Sequence, residues 1–160
     1  MPAPRPAASS TLASYSAAVS ASSPRHAARN SWAWRSGTAP LRLPIASGHP
    51  LQQLDRADLA AIAAIGLTDP ARLAGRRIEV AGDAPTPTQM AEAFTRVLGQ
   101  EVRHVRDDLA MIRNPDMHAM WTFLARDGYQ ADLVALRAEF PEIAWTRFAD
   151  WVGRTLTPQS

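Results

Sequence analysis

Two amides and two carboxylates lie close together in the stretch LQQLDRADL, residues 51–59. Asp55 and Asp58 are three residues apart, and on a helix this spacing places both carboxylates on one face, as a general acid and base pair would require. Gln52 and Gln53 could hydrogen-bond a ligand. In an extended segment they point to opposite faces, so at most one of them could do so. A ligand or catalytic site at this stretch is therefore the first hypothesis.

A structural role accounts better for the two carboxylates. The apolar segment AAIAAIGL follows them at residues 60–67 and is typical of a helix. Asp is favoured at a helix N-cap because its carboxylate accepts hydrogen bonds from the first free N–H groups, and negative charge is also stabilised in the first turn. We therefore favour capping over catalysis: one of Asp55 and Asp58 caps the helix, and the other lies in its first turn.

The composition excludes several reaction classes. The chain has no Cys, which removes disulfides, thiol catalysis and thiolate metal sites. All seventeen basic residues are Arg. Without Lys the chain cannot form a Schiff base, place a P-loop Lys on a phosphate, or supply the Lys of a Tyr-x-x-x-Lys oxidoreductase pair.

Motifs for nucleotide, metal and acyl chemistry are also missing from the sequence. A dinucleotide fold needs several Gly in one strand-to-helix turn, and no three of the eight Gly lie within seven residues. No two His have the i, i+3 or i, i+4 spacing that places two metal ligands on one helical face. No Ser lies in a G-x-S-x-G elbow. We therefore expect no NAD(P) binding or catalysis by the chain as given, and no metal site.

Aromatic residues and methionines are concentrated late in the chain. Such residues at helical spacing usually form a core, and this is the interpretation that we favour. The alternative is an apolar pocket for a small-molecule substrate, with Trp121 and Tyr129 near its wall.

The N-terminal quarter differs from the rest in charge and composition. Residues 1–54 contain five Arg and no acid, a formal charge of +5, whereas residues 55–160 carry −3. We predict that residues 1–40, rich in Ala, Ser, Pro and Arg, form a disordered or low-complexity tail. An organellar transit peptide, a basic arm for nucleic acid or acidic membrane, and a mis-assigned gene start are competing interpretations. Five scattered charges argue against nucleic-acid binding, so none is expected.

The chain lacks the run of about 18 apolar residues that spans a membrane. We accordingly expect a soluble, cytoplasmic protein with no membrane contact.

From about Leu41 the local signals predict a β-α-β-α-β order. The pieces LRLPIA and LQQL are β-like and are separated by a turn at residues 47–50. A helix then presents Leu59, Ile62, Ile65 and Leu67 on one broad face and ends near Asp69-Pro70. The segment RRIEVAG, with Ile78 and Val80 in alternation, predicts the next strand.

The following segments predict one more helix and strand, and then helices alone. In TPTQMAEAFTRVLG, Thr86, Pro87 and Gln89 form a capping box with Pro at the first helical position, and Gly99 suits the C-terminal position. EVRHVRD predicts a strand. DDLAMIR is predicted to be helical. A helix should then run from Asn114-Pro115 to Asp127-Gly128. ADLVALRAEF is predicted to follow it, and a last helix is expected to be capped by Thr146.

Three pieces of this sequence resemble the NmrA-like family, which comprises atypical short-chain dehydrogenases/reductases with a Rossmann-type fold. They are the LQQLDRADLA junction, GRRIEVAGD with the TPTQMAEAF helix after it, and the segment from Gly128-Tyr129 to Trp151. The resemblance covers roughly Leu41 to Leu156. It implies that residues 41–157 are the helix-rich, substrate-side C-terminal half of such an α/β domain, with RRIEVAG as the last strand of its sheet.

The resemblance also implies a cofactor for the family, NAD(P), bound through a Gly-rich turn in the first half of the domain. A fuller form would then be an NAD(P)-dependent oxidoreductase or a redox-sensing regulator. The positions near the cofactor and substrate cleft are Gln52, Gln53, Asp55 and Asp58, with Trp121 and Tyr129 in the pocket region. No catalytic residue is carried over by the resemblance.

The resemblance has a physical consequence for the helix after Asp55. A parallel sheet is normally covered on both faces, and the strands that should receive Leu59, Ile62 and Ile65 are not recognisable in the sequence. We expect self-association or a partner chain to cover this face, and a chain that is marginally stable without it.

Overall fold

A computed structural model describes residues 40–156 of the chain. The elements of this part are, in chain order, β1 (Leu41–Leu43), α1 (Arg56–Thr68), α2 (Pro70–Leu73), α3 (Pro87–Leu98), β2 (His104–Arg106), a 3-10 helix (Leu109–Met111), α4 (Pro115–Arg126), α5 (Leu133–Glu139) and α6 (Phe148–Leu156). The tail predicted at residues 1–40 lies, except for residue 40, outside the described residues. Strands separated by helices and followed by helices confirm the predicted helix-rich α/β class.

The two strands form a small parallel sheet. Leu41 pairs with His104 and Leu43 pairs with Arg106. Parallel strands need a long crossover connection, and here α1, α2 and α3 make up that connection. The strands predicted at LRLPIA and EVRHVRD are thus confirmed over three residues each, Leu41–Leu43 and His104–Arg106, and their carboxyl ends lie side by side.

Local capping signals set the ends of α3 and α4 as predicted. The Thr86 side chain accepts a hydrogen bond from the Gln89 N–H, and the Gln89 side chain accepts one from the Thr86 N–H. Gly99 ends α3 in the left-handed conformation, with φ 67°. Asn114 caps α4 by accepting from the Met117 N–H at 3.0 Å. These ends depend on neighbours only three or four residues apart, which is why the sequence predicts them.

The strand predicted at RRIEVAG does not form within the described residues. The expected alternation of burial is present, since Ile78 and Val80 are half-buried and Glu79 is exposed. The nearest pairing is an isolated antiparallel bridge between Gln53 and Asp83. A strand needs a neighbour for its backbone hydrogen bonds, and residues 40–156 offer none beside residues 76–81. This bridge is also all that forms of the predicted β-like piece LQQL.

Two predicted helical features are wrong for physical reasons. DDLAMIR forms only the short 3-10 helix, because Asn114 precedes Pro115 and a residue before proline disfavours the helical conformation. Thr146 does not cap α6, which begins at Phe148. The Thr146 N–H instead donates to Asp58, and the cap of α6 comes from Asp83, whose Oδ2 accepts from the Phe148 N–H at 2.8 Å.

The hydrophobic core has two principal packing regions. In the first, Ile62 of α1 packs with residues of α5 and the segment after it, among them Leu136, Phe140, Ile143 and Trp145. In the second, α3 packs against α6. The rings of Phe94 and Phe148 meet edge to face there, with centroids 5.6 Å apart. Three late aromatic residues, Phe140, Trp145 and Phe148, are therefore core as favoured from the sequence, whereas Trp121, Tyr129 and Trp151 are half-buried and Phe123 is exposed.

The apolar residues of α1 divide between two faces. Ile62 is 8% exposed and Ile65 is half-buried, and both pack on the first core region. Leu59 is 42% exposed and Leu67 is 82% exposed. The residues of this chain therefore cover Ile62, whereas Leu59 and Leu67 face away from the core.

Candidate functional site

Gln52 holds two distant backbone groups. Its Nε2 donates to the Ala131 carbonyl at 2.7 Å, and its Oε1 accepts from the Ala131 N–H at 2.9 Å. The side-chain amide thus pairs with Ala131 as a neighbouring strand would. Both polar ends of Gln52 are engaged in joining the segment before α1 to the segment after α4, which are 79 residues apart in sequence.

Gln53 contributes mainly through its backbone. Its N–H donates to the Asp83 carbonyl at 2.8 Å, and its carbonyl accepts from the Gly82 N–H at 2.8 Å. The side-chain Nε2 lies 3.6 Å from Met90 Sδ. Gln52 and Gln53 therefore make different connections, as expected of consecutive residues in an extended segment.

Asp55 is the N-cap of α1, which confirms the predicted capping. Its Oδ1 accepts from the Ala57 N–H at 2.7 Å. Its second oxygen lies 3.3 Å from Arg154 Nη2 on α6. Asp55 thus stabilises the start of α1 and contacts the last helix of the described chain.

Asp58 lies in the first turn of α1 as predicted, but its side chain makes a long-range contact. It is 4% exposed, and its Oδ2 accepts from the Thr146 N–H at 2.7 Å. An unpaired charge at such a site would be strongly destabilising. The hydrogen bond therefore identifies Asp58 as a positioning group for the entry into α6.

Gly82 and Asp83 complete this arrangement, which we call the junction and define as Gln53, Asp58, Gly82, Asp83 and Thr146. A Cβ on Gly82 would lie 3.3 Å from the Thr146 carbonyl and 3.5 Å from Asp58 Oδ2. Only a glycine allows the three segments to approach this closely without a shift.

The long-range part of the junction has no signal in the local sequence. The local pattern predicts only that Gly82 and Asp83 close the strand expected at RRIEVAG. Arg137 also donates to the Gly82 carbonyl, at 2.9 Å. Such contacts join residues 55 or more positions apart, which local patterns do not report.

Tyr129 and Trp121 occupy a separate region around α4. The ring of Tyr129 meets the ring of Phe123 edge to face at 5.3 Å between centroids. Trp121 is half-buried. Gln52 contacts this region through its hydrogen bond to Ala131, two residues after Tyr129. Asp55 and Asp58 instead contact α6 and the residue Thr146 before it.

The electrostatic environment of Tyr129 does not favour proton donation. Burial raises the pKa of Tyr129 above 10.0, and the negative charge of Glu79 raises it further. A tyrosine acting as a general acid or base near neutral pH needs a lowered pKa. The aromatic region of α4 therefore fits a binding surface better than an acid–base centre.

The described residues hold no cluster that could bind a metal ion, and no helix among them is long and apolar enough to cross a membrane. Neither strand of the described part is followed directly by a Gly-rich turn. β1 is followed by the buried residues Pro44 and Ile45, and β2 is followed by Asp107 and Asp108. Two carboxylates repel a pyrophosphate, which needs backbone N–H groups in a Gly-rich turn.

Comparison with known families places these elements in context. The NmrA-like family model matches residues 15–129, well over half of the chain. The chain belongs to the NmrA-like family. The match includes residues 15–40, which belong to the tail predicted from the composition. A comparison with functionally curated proteins gave no match.

Crystal structures of NmrA share the fold of this NmrA-like chain. A doubly substituted NmrA and an NmrA with bound NAD, described as a negative transcriptional regulator, each give a TM-score of 0.55, and NmrA with NADP gives 0.54. Each is 19% identical and matches 74% of this chain and 43% of its own length. The chain thus spans less than half of the NmrA structures, two of which hold the cofactor expected for the family.

Proposed function

We propose that residues 41–156 form the substrate-side part of an NmrA-like domain, and that the chain as given neither binds NAD(P) nor catalyses a redox reaction. The observation that carries this proposal is the lack of a Gly-rich strand-to-helix turn anywhere in the sequence. Support comes from Asp107 and Asp108, which follow β2 where an anionic cofactor would need N–H donors.

The first prediction concerns cofactor binding. Titration of the purified chain with NADPH and NADH, followed by calorimetry and by nicotinamide fluorescence, is expected to show no saturable binding at micromolar concentrations. The dinucleotide would lack the helix N-terminus that holds its pyrophosphate. NmrA, which binds NAD and NADP in crystals, serves as the positive control. Saturable micromolar binding by this chain would overturn the proposal.

The second candidate function is that of a half-domain completed by another polypeptide segment. In this form it would be the substrate-side half of an NAD(P)-dependent reductase or of a redox-sensing regulator. Two observations favour it: residues 76–81 alternate in burial like a strand but have no strand beside them in the described part, and Leu59 and Leu67 of α1 are exposed.

In this second candidate function, the start of α1 lies beside the cofactor and substrate cleft and is positioned by Gln52, Gln53, Asp55 and Asp58. Trp121 and Tyr129 contact a small-molecule substrate. The test is addition of an NmrA-like N-terminal half as a separate polypeptide. We expect slower amide exchange at residues 76–81 and the appearance of NADPH binding. Unchanged exchange and no NADPH binding would rule out the half-domain function. The cytoplasmic location stays a prediction, which fractionation of cells that express the tagged chain would test.

A further inference from the structure

An open cavity of about 450 Å³ lies at the carboxyl ends of β1 and β2. Its lining residues come from the two strands and the segment after β2, and they are Arg42, Arg106, Asp107, Asp108, Met111 and Ile112. The volume is within the range of about 300–1,000 Å³ that is usual for small-molecule sites. In α/β proteins ligands bind beyond the carboxyl ends of parallel strands. None of these six residues belongs to the junction or to the aromatic region of α4.

The charged residues of this cavity are two Arg and two Asp, so the formal charge of the lining is zero, and the guanidinium of Arg106 is not held in an ion pair among residues 40–156. Arg42 forms an ion pair with Asp107. The Oδ1 of Asp108 accepts from the Ala110 N–H at 2.9 Å, which caps the 3-10 helix. Arg106 is exposed, its backbone pairs with Leu43 in the sheet, and its side chain forms no hydrogen bond or ion pair within residues 40–156. The guanidinium of Arg106 is thus available to an anion from solution.

Two residues of the lining are apolar. Met111 is 75% exposed, which is unusual for a large hydrophobic residue, and Ile112 beside it is half-buried. A methionine side chain is flexible and polarizable, and it adapts to apolar groups of varied shape. A ligand with one anionic end and an apolar body would contact both parts of the cavity.

We propose that this cavity binds a small organic monocarboxylate, with the carboxylate on Arg106 and the apolar body against Met111 and Ile112. The planar guanidinium matches a carboxylate through two parallel hydrogen bonds. Asp107 and Asp108 favour a singly charged ligand, since a phosphate with two charges would be repelled more strongly. This site is independent of NAD(P), and its test does not depend on the function proposed above.

The test uses the full chain and four probes of matched chemistry. Benzoate carries both recognition features, benzyl alcohol has the ring without the charge, acetate has the charge without the ring, and inorganic phosphate is a multiply charged anion. Amide resonances of residues 104–112 are followed by two-dimensional NMR during each titration. We expect saturable shifts with benzoate at millimolar concentrations, and binding at least about tenfold weaker for each of the other probes.

Two variants locate the site. Arg106→Gln is expected to weaken benzoate binding at least about tenfold, because it removes the charge-assisted hydrogen bonds. Arg113→Gln removes the same charge from an exposed arginine seven residues away that does not line the cavity, and it should bind benzoate within about twofold of the original chain.

A third variant, Met111→Gln, should weaken benzoate binding but leave acetate binding unchanged. Thermal melting of every variant checks that the fold is retained. The proposal is overturned if benzoate gives no saturable shifts, if Arg106→Gln binds as tightly as Arg113→Gln, or if benzyl alcohol binds as tightly as benzoate.

Discussion

The buried carboxylate of Asp58 shows how far residue chemistry can be anticipated from sequence. Its position in the first turn of α1 follows from the local pattern, and so does the N-cap at Asp55. Its partner, the Thr146 N–H, lies 88 residues away. The sequence near Asp58 does not indicate that partner, because the contact depends on how α1 packs against the segment before α6.

Replacement of Asp58 by Ala is predicted to lower the free energy of unfolding by about 1–3 kcal/mol, because the hydrogen bond from Thr146 to a charged acceptor is lost. Urea denaturation measures this change. Asp116→Ala, which removes an exposed carboxylate from the first turn of α4, is the control, with an expected loss below about 1 kcal/mol. Equal losses in the two variants would contradict a positioning role for Asp58.

Gly82 gives a second prediction at this scale. Gly82→Ala should destabilise the chain by about 1–3 kcal/mol, because its Cβ would crowd the Thr146 carbonyl and the Asp58 carboxylate. Gly153→Ala in α6 meets no atom within 4 Å and should stabilise by about 0.5–1 kcal/mol through helix propensity. Thermal unfolding of the pair measures both changes. Stabilisation by Gly82→Ala would show that the junction has room for a Cβ at position 82.

At the scale of elements, the sequence predicts those whose limits are set by near neighbours. The helices α3 and α4 have their caps within a few residues, and they begin and end close to the predicted positions. The segment RRIEVAG has the alternation of a strand but forms none, because its state depends on a neighbouring strand. The four-residue helix α2 was not predicted, since so short a segment has no periodic pattern.

Ion pairs join α2 and the turn after it to the end of α5 and the segment that follows, and they should respond to pH. Arg76 donates a hydrogen bond to Glu139, which lowers the pKa of that carboxyl below 4.5. Arg72 likewise lowers the pKa of Glu142. A lowered pKa in the folded state means that the contribution to stability is present above about pH 4.5 and is lost as the pH falls through the folded value.

Carbon-detected NMR titration should therefore give a pKa for Glu139 below 4.5, and Arg76→Gln should raise it towards 4.5. Arg76 is exposed and Glu139 is half-buried, so solvent reaches the pair and the effect should decrease in high salt. Arg96→Gln, on the exposed surface of α3, removes the same charge elsewhere and should leave the pKa of Glu139 unchanged. A Glu139 pKa that does not move in Arg76→Gln would show that the ion pair is not formed in solution.

At the scale of the whole molecule, the chain matches 43% of each NmrA structure, and its described part exposes Leu59 and Leu67 of α1. The sequence predicted the family and the fold class. It did not predict that α5 and the segment after it would cover Ile62, because that contact joins segments about 80 residues apart.

Exposure of Leu59 and Leu67 predicts concentration-dependent self-association of the chain as given. The double variant Leu59→Gln and Leu67→Gln should lower the weight-average mass in sedimentation at high concentration. Val134→Gln, an equally exposed site on α5, is the matched control and should leave the mass unchanged. A chain that is monomeric at every concentration, with a sharp two-state melt and strong exchange protection of α1, would contradict the prediction.

The separation between Asp58 and Thr146 also has a consequence for synthesis on the ribosome. Long-range contacts slow folding, since the loop between them must close first. During translation α1 emerges long before the N–H that its buried carboxylate requires. In the emerging chain, Ile62 therefore lacks its packing partners and Asp58 lacks its hydrogen-bond donor until residues 136–148 have been synthesised. We expect this part of the chain to acquire its fold only after residues 136–148 have left the ribosome, and to depend on chaperones until then.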